Sequence, residues 1–124
     1  RLRSAARAAA WLGRAAEERR YVGLLAGLYP DDDRVFLLAD AVDAASTPAG
    51  RGARLEARAL RPRVSFLVVE ALAAHVLAEG DTHRACALLR RVLAVAPQRG
   101  RAHALYAEAV ARRGRSAEAR EHAR

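Results

Sequence analysis

The chain has 124 residues, enough for one domain with a modest core and too few for two independently stable domains. Hydrophobic residues make up 52% of it and aromatic residues 5%, which argues against both a disordered chain and an all-β domain. The formal net charge is +8, every basic residue is arginine, and no apolar run reaches the roughly 18 residues that a membrane-spanning helix needs.

The first predicted element covers residues 1–31 and contains two signals that interrupt helices. Gly13 follows an alanine-rich stretch of strong helix formers. Pro30 ends the segment, because proline cannot continue the backbone hydrogen-bond ladder of a helix. These signals predict two helices joined by a turn at Gly13, with the second helix ending before Pro30.

The second predicted element covers residues 32–65. Its first helix is indicated by an apolar stripe of Val35, Leu38, Ala39 and Val42. A long, loose turn is expected over residues 46–52, followed by a short helix over 53–60 that ends at Pro62. The carboxylates of Asp31–Asp33 can cap the first helix and suit its dipole. A divalent-metal site formed by the same three carboxylates is the alternative interpretation.

The third predicted element, residues 66–99, has the clearest pattern. One apolar helix precedes Gly80-Asp81, where a turn is predicted, and a second helix ends at Pro97. The second helix has one apolar face formed by Ala85, Leu88, Leu89, Val92, Leu93 and Ala96. The pattern predicts two antiparallel helices that bury these faces against each other.

The fourth predicted element, residues 100–124, repeats the beginning of this cycle. Its helix is indicated by Ala102, Leu105, Tyr106, Ala109 and Val110. Gly114 follows, so a turn is predicted there, with a further helix from Ser116. Apolar surface exposed on this C-terminal hairpin would favour self-association.

The turn glycines and the helix-terminating prolines recur along the chain at matching spacings. The spacing from Gly80 to Gly114 is about 34 residues, which is a period known for repeated helical hairpins. The spacing from Gly13 to Gly80 is one short of two such periods, and the spacing from Pro30 to Pro97 is identical to it. In this period and in its helix, turn, helix and proline order, the chain resembles the tetratricopeptide-repeat family.

The motif of that family is matched most fully in the second half of the chain. Its positions are occupied in residues 66–99 by Val69, Leu72, Ala73, Val76, Ala85, Leu89, Val92 and Pro97. In residues 100–124 they are occupied by His103, Tyr106, Ala107, Val110, Gly114 and Ala119. In the first unit Glu18 stands where the family has alanine, and residues 32–65 match least well.

The resemblance implies an all-α fold, a right-handed α-solenoid of three to four antiparallel helix-turn-helix repeats. The expected units are 1–31, 32–65, 66–99 and 100–124, stacked in a single domain of residues 1–124. Small residues such as Ala73, Ala85, Ala107 and Ala119 would let paired helices approach closely. Because one hairpin buries too little apolar surface to be stable alone, stacking would supply the core.

In this family the first helices of the hairpins line a concave groove that binds a protein or peptide. At the corresponding positions of this chain, the resemblance implies that the following residues line the partner-binding groove: Arg3, Arg7, Trp11, Phe36, Asp40, Asp43, Glu70, Arg101, Glu108 and Arg112. We call them the nominated residues. Trp11 could instead cover the end of the stack, and Phe36 could belong to the core between repeats. The charged nominees could equally be solvated faces. The family's Lys and Asn carboxylate clamp is absent, because the chain has neither residue type.

No catalytic motif is recognisable, so we expect no enzyme activity, no cofactor and no metal. His83 and Cys86 are three residues apart on a predicted helix and could share a metal ion, but two ligands do not make a structural zinc site. The alternative for Cys86 is a small apolar core residue. For His103 the expected role is packing between helices, with a ligand role as the alternative.

The sequence therefore predicts a cytoplasmic protein- or peptide-binding scaffold that forms part of a larger protein. One alternative is a regulatory or nucleic-acid-associated domain that uses its arginine-rich surface. Against it, the arginines are spread along the chain, and a GC-rich genome would also produce a protein rich in Arg and Ala. A second alternative is an accessory domain of an enzyme whose catalytic part lies outside this sequence.

Overall fold

A computed structural model describes residues 2–46 and 49–122, with all side chains except those of residues 2–6, 8–9, 11–12, 43–46, 119 and 122. The described residues contain no strand and form helices α1 Leu2–Leu28, α2 Asp33–Ser46, α3 Arg51–Ala59, α4 Phe66–Ala78, α5 Thr82–Val95 and α6 Gly100–His122. The predicted all-α class is confirmed. None of these helices, within the described ranges, is both long and apolar enough to cross a membrane.

The helices belong to two compact units, residues 1–49 with α1 and α2, and residues 50–124 with α3 to α6. The joining of all residues into one repeat domain, and its right-handed stacking, stay predictions. In the first unit α1 ends at Leu28, two residues before Pro30, as the sequence predicts. The short helix predicted over 53–60 is also present, as α3.

Asp32 caps the start of α2. Its Oδ1 atom accepts hydrogen bonds from the backbone N–H groups of Arg34, at 2.9 Å, and Val35, at 3.3 Å. These groups have no partner inside the helix, because the first four N–H groups of any helix lack an acceptor within it. The capping role predicted for the Asp31–Asp33 segment is therefore confirmed. Among the described residues, no group of three acidic, histidine or cysteine side chains could hold a metal.

The turn between α4 and α5 is closed by backbone hydrogen bonds on one side and by a side-chain cap on the other. Gly80 has a φ of 93°, and its N–H donates to Leu77 O at 3.0 Å, while Asp81 N–H donates to Val76 O at 2.9 Å. This pair of bonds is the Schellman motif that ends many helices. Asp81 Oδ1 then accepts from Arg84 N–H at 3.1 Å and caps α5. The predicted Gly80-Asp81 turn is confirmed.

The core of the second unit lies between α4 and α5 and is extended by α6. The apolar repeat positions of residues 66–99 are buried, each at most 7% exposed: Val69, Leu72, Ala73, Val76, Ala85, Leu89 and Val92. Ala73 and Ala85 are fully buried, which fits their predicted role of letting the two helices approach. On α6, Ala102 and Ala109 are also fully buried.

The predictions of turns at Gly13 and Gly114 are wrong. Gly13 lies inside the 27-residue α1, and Gly114 lies inside the 23-residue α6. A glycine costs a helix interior only about 1 kcal/mol, which the surrounding Ala, Arg and Glu residues can offset. Gly80 differs because Asp81 follows it and caps a new helix, whereas arginine follows both Gly13 and Gly114.

The continuous α6 changes the roles of the repeat positions in residues 100–124. Ala107 is exposed, and Val110 is 47% exposed, because no second helix folds back onto them. The packing role predicted for Ala107 is therefore wrong, and the side chain of Ala119 lies outside the described residues. The C-terminal hairpin to which the sequence assigns self-association is not formed.

An ion pair joins α3 to α5. The guanidinium of Arg84 donates to both carboxylate oxygens of Glu56, with Nη2 and Oε2 2.6 Å apart. These hydrogen bonds hold the pKa of Glu56 below its ordinary value of 4.5. Both side chains are more than one third exposed, so solvent screening limits the contribution of the pair to between about 0.2 and 1 kcal/mol.

Replacing Gly114 with alanine tests whether α6 is continuous. In a helix interior, Gly114→Ala should raise the free energy of unfolding by about 0.5–1 kcal/mol and increase the helical circular-dichroism signal. The matched variant Gly80→Ala should lower the free energy by about 1–2 kcal/mol, because alanine is strained at positive φ. Neither new methyl group meets an atom within 4 Å. Urea denaturation measures both, and destabilisation by Gly114→Ala would contradict a continuous helix.

The Glu56–Arg84 pair predicts part of the pH dependence of stability. Because the folded-state pKa of Glu56 is lowered, the stabilisation is complete above the unfolded-state pKa and is lost as pH falls through the folded-state value. Glu56→Gln should therefore cost about 0.2–1 kcal/mol at neutral pH, and this difference from wild type should vanish in acid. Urea denaturation across the acidic range measures it. A Glu56→Gln deficit that persists unchanged in acid would contradict the assignment.

Candidate partner-binding surface

The nominated residues of the second unit lie along the contact between α4 and α6. Glu70, on α4, has a side chain only 1% exposed, and its carboxylate is held by Arg99, in the segment before α6. Arg99 donates from Nε to Oε2 at 2.9 Å and from Nη2 to Oε1 at 3.0 Å. Such a fork of two parallel hydrogen bonds is the strongest way for arginine to bind a carboxylate. The Glu70 charge is therefore neutralised inside the protein.

A second guanidinium lies beside the same carboxylate. Arg101 Nη1 is 3.6 Å from Glu70 Oε1, and the Arg101 side chain is 60% exposed. The Arg99 guanidinium carbon also lies 5.8 Å from the centre of the Phe66 ring, within cation–π range. Glu70 hydrogen bonds raise the pKa of Arg99 above its ordinary value, so Arg99 stays charged. Two cations thus share one carboxylate, which leaves positive charge at this point.

Arg112 makes the other contact between α6 and α4. Its Nη1 atom donates to the backbone oxygen of Leu77 at 3.0 Å, in the last turn of α4, and this oxygen also accepts the hydrogen bond from Gly80 N–H. Its Nη2 atom donates to Glu108 Oε1 at 2.6 Å, one turn earlier on α6. A cation at a helix C-terminus also interacts favourably with the helix dipole.

We use the name α4–α6 surface for five residues: Glu70, Arg99, Arg101, Glu108 and Arg112. Arg101, Glu108 and Arg112 are spaced seven and four residues apart, so they lie on one side of α6. The four nominees of the second unit therefore form two groups, Arg101 beside Glu70 and Glu108 with Arg112 near Leu77. The sequence does not predict the role of Arg99 at this surface, because its partner Glu70 is 29 residues away along the chain.

The remaining nominees belong to the first unit. Arg7 is exposed and Phe36 is half-buried. Asp40 is buried, so its carboxylate is not open to a partner. The other three, Arg3, Trp11 and Asp43, lie on α1 and α2, but their side chains are outside the described residues. A groove shared by these residues and the α4–α6 surface stays a prediction.

The histidine and cysteine alternatives are decided by burial and contacts. Cys86 is a buried free thiol, whereas His83 is exposed, so the two side chains do not face the same environment. Cys86 is therefore a small core residue, which confirms that interpretation of it. The exposed His103 binds the backbone oxygen of Pro97 through Nε2 at 2.7 Å, so it holds the connection between α5 and α6.

One part of the sequence carries a recognised family signature. Residues 76–123 match the sequence model of the tetratricopeptide repeat, from the last turn of α4 through α5 and α6. This segment belongs to the tetratricopeptide-repeat family. Tetratricopeptide repeats are in general protein-interaction scaffolds. No curated protein and no solved structure matches the chain significantly.

The two glutamates of the α4–α6 surface should differ in their importance for stability. Glu70→Gln leaves a buried amide between two guanidinium groups and should lower the free energy of unfolding by about 1–3 kcal/mol. Glu108→Gln, the matched control at a half-exposed ion pair, should cost about 0.5 kcal/mol or less. Urea denaturation of both variants measures the difference. Equal effects would show that Glu70 is not held as a buried charge.

Proposed function

We propose that the unit of residues 50–124 is a protein- or peptide-binding scaffold and that the α4–α6 surface contacts the partner. The family signature over residues 76–123 supports the general role, because tetratricopeptide repeats are in general interaction scaffolds. The observation that carries the choice of surface is the Glu70 site, where two arginines share one buried carboxylate.

Arg101 is the residue that this proposal assigns to the partner. Glu70 is already bound by both donors of the Arg99 fork, and the nearest Arg101 nitrogen is 3.6 Å from it, beyond ordinary hydrogen-bond distance. The mostly exposed Arg101 guanidinium therefore keeps donors for an incoming carboxylate. Because guanidinium groups bind carboxylates in a bidentate manner, an acidic side chain or a chain terminus is the group we expect here.

Binding at this surface would need little ordering of the protein. The Arg99–Glu70 fork and the bond between Arg112 and the Leu77 carbonyl hold α4 and α6 together before any partner arrives. A surface that is already formed avoids the entropic cost of fixing side chains on binding. A cytoplasmic location and membership of a larger protein are part of the same proposal.

Affinity capture with the whole 124-residue chain tests the function. We expect wild-type protein to retain specific proteins from a cell lysate and Arg101→Ala to reduce their recovery at least about tenfold, the loss of about 1.4 kcal/mol of binding. Arg91→Ala is the matched control, because Arg91 is an exposed arginine on α5 that is not part of the α4–α6 surface.

Two outcomes would contradict the proposal. Equal recovery by wild type and Arg101→Ala, with both folded by circular dichroism, would remove the α4–α6 surface as the contact. Capture of nucleic acid alone, with affinity that falls steeply as salt rises, would favour the nucleic-acid alternative instead.

A further inference from the structure

A surface pocket lies between the α4–α5 turn and the C-terminal half of α6. Its volume is about 470 Å³, within the range of pockets that hold small ligands or parts of peptides. It is lined by Gly80, Thr82, His83, Arg113, Ser116, Ala117 and Arg120, and we call it the α5–α6 pocket. All of these residues belong to the second unit.

The pocket exists because α6 continues beyond the start of α5. Ala102, Ala109 and Ser116 are seven residues apart, so they lie on the same side of α6 to within about 20° per step. The first two of these residues are buried in the core, whereas Ser116 is exposed and lines the pocket. The side of α6 that carries core alanines therefore becomes polar where the helix runs past α5.

The described lining is basic and contains no acidic residue. Arg113 and Arg120 supply two guanidinium groups, while Thr82 and Ser116 supply hydroxyl groups that can donate hydrogen bonds. Several other arginines of this unit are held by carboxylates, as Arg84, Arg99 and Arg112 show. In the part of the chain that the structure describes, no carboxylate forms an ion pair with Arg113 or Arg120.

We propose that the α5–α6 pocket binds an acidic segment of a protein partner, with Arg113 and Arg120 each receiving one carboxylate. This inference rests on the proposed scaffold function and specifies the chemistry of a second contact. The opposite charges of the pocket and the segment would favour the encounter and set its orientation. The hydroxyl groups of Thr82 and Ser116 provide further donors to the same carboxylates.

The spacing of the two arginines favours an extended acidic segment over a single phosphate. Arg113 and Arg120 are seven residues apart on one helix, so their backbones are separated by about 10 Å along its axis. An extended chain advances about 3.3 Å per residue, so carboxylates about three residues apart would match this separation. A single phosphate is too compact to meet both guanidinium groups without drawing the two side chains together.

Fluorescence anisotropy with a labelled hexaglutamate peptide and the whole chain tests the proposal. The double variant Arg113→Ala/Arg120→Ala should bind the peptide at least about tenfold more weakly than wild type. The matched control Arg91→Ala/Arg115→Ala removes the same charge from exposed positions outside the pocket and should change the affinity less than about twofold. Circular dichroism and urea denaturation check that both variants remain folded.

Several results would overturn the pocket assignment. Equal weakening in both double variants would show that net charge, and not the pocket, attracts the peptide. No binding of hexaglutamate at low salt would remove the acidic-segment proposal. Tighter binding of inorganic phosphate or of an RNA oligonucleotide, lost in the pocket variant, would identify a different ligand class.

The experiments test the proposal for the pocket and the proposal for the α4–α6 surface independently. If the pocket proposal fails, capture of partners that depends on Arg101 is still expected. If that capture does not depend on Arg101 while hexaglutamate binding still depends on Arg113 and Arg120, the proposal for the α4–α6 surface is contradicted and the proposal for the pocket is supported.

Discussion

Gly80 adopts a left-handed backbone conformation, and Asp81 follows it with a side chain that caps the next helix. Together these two residues reverse the chain within a few residues, with the C-terminal carbonyls of α4 and the N-terminal amides of α5 both given partners. The reversal brings Ala73 and Ala85 into the core, where both are fully buried. The packing of α6, and hence both proposed binding sites, depends on this hairpin.

The arginines of the second unit have different surroundings, and this difference bears on function. Arg84 and Arg99 connect separate elements by binding Glu56 and Glu70, so these basic residues serve the fold. Arg101 is mostly exposed beside an already bound carboxylate, and Arg113 lines a pocket whose described lining is not acidic. The net positive charge of the chain is therefore a poor guide by itself, because the location and the partners of each guanidinium decide what it can bind.

The two proposed sites use different sides of the same helix. Arg101, Glu108 and Arg112 contribute to the α4–α6 surface, while Arg113 and Arg120 line the α5–α6 pocket, about 110° further around α6. Because α6 does not turn at Gly114, the residues after it extend the side that packs on α5. A partner could then contact the two sites with separate segments, which would increase its overall affinity without a larger single interface.

The sequence by itself determined the helical class, the ends of helices at Pro30 and Pro97, the Asp32 cap and the Gly80-Asp81 turn. These features are local, because capping, turn geometry and the missing amide of proline act over a few residues. The apolar positions of residues 66–99 were predictable for a related reason, since helical spacing alone places them on one face. Only the tertiary structure decided that Gly13 and Gly114 lie within helices, that Arg99 neutralises Glu70, and that Arg113 and Arg120 share a pocket. Whether a glycine breaks a helix depends on the balance between a small local cost and the caps and contacts around it, and an ion pair between residues 29 positions apart exists only after the helices have packed.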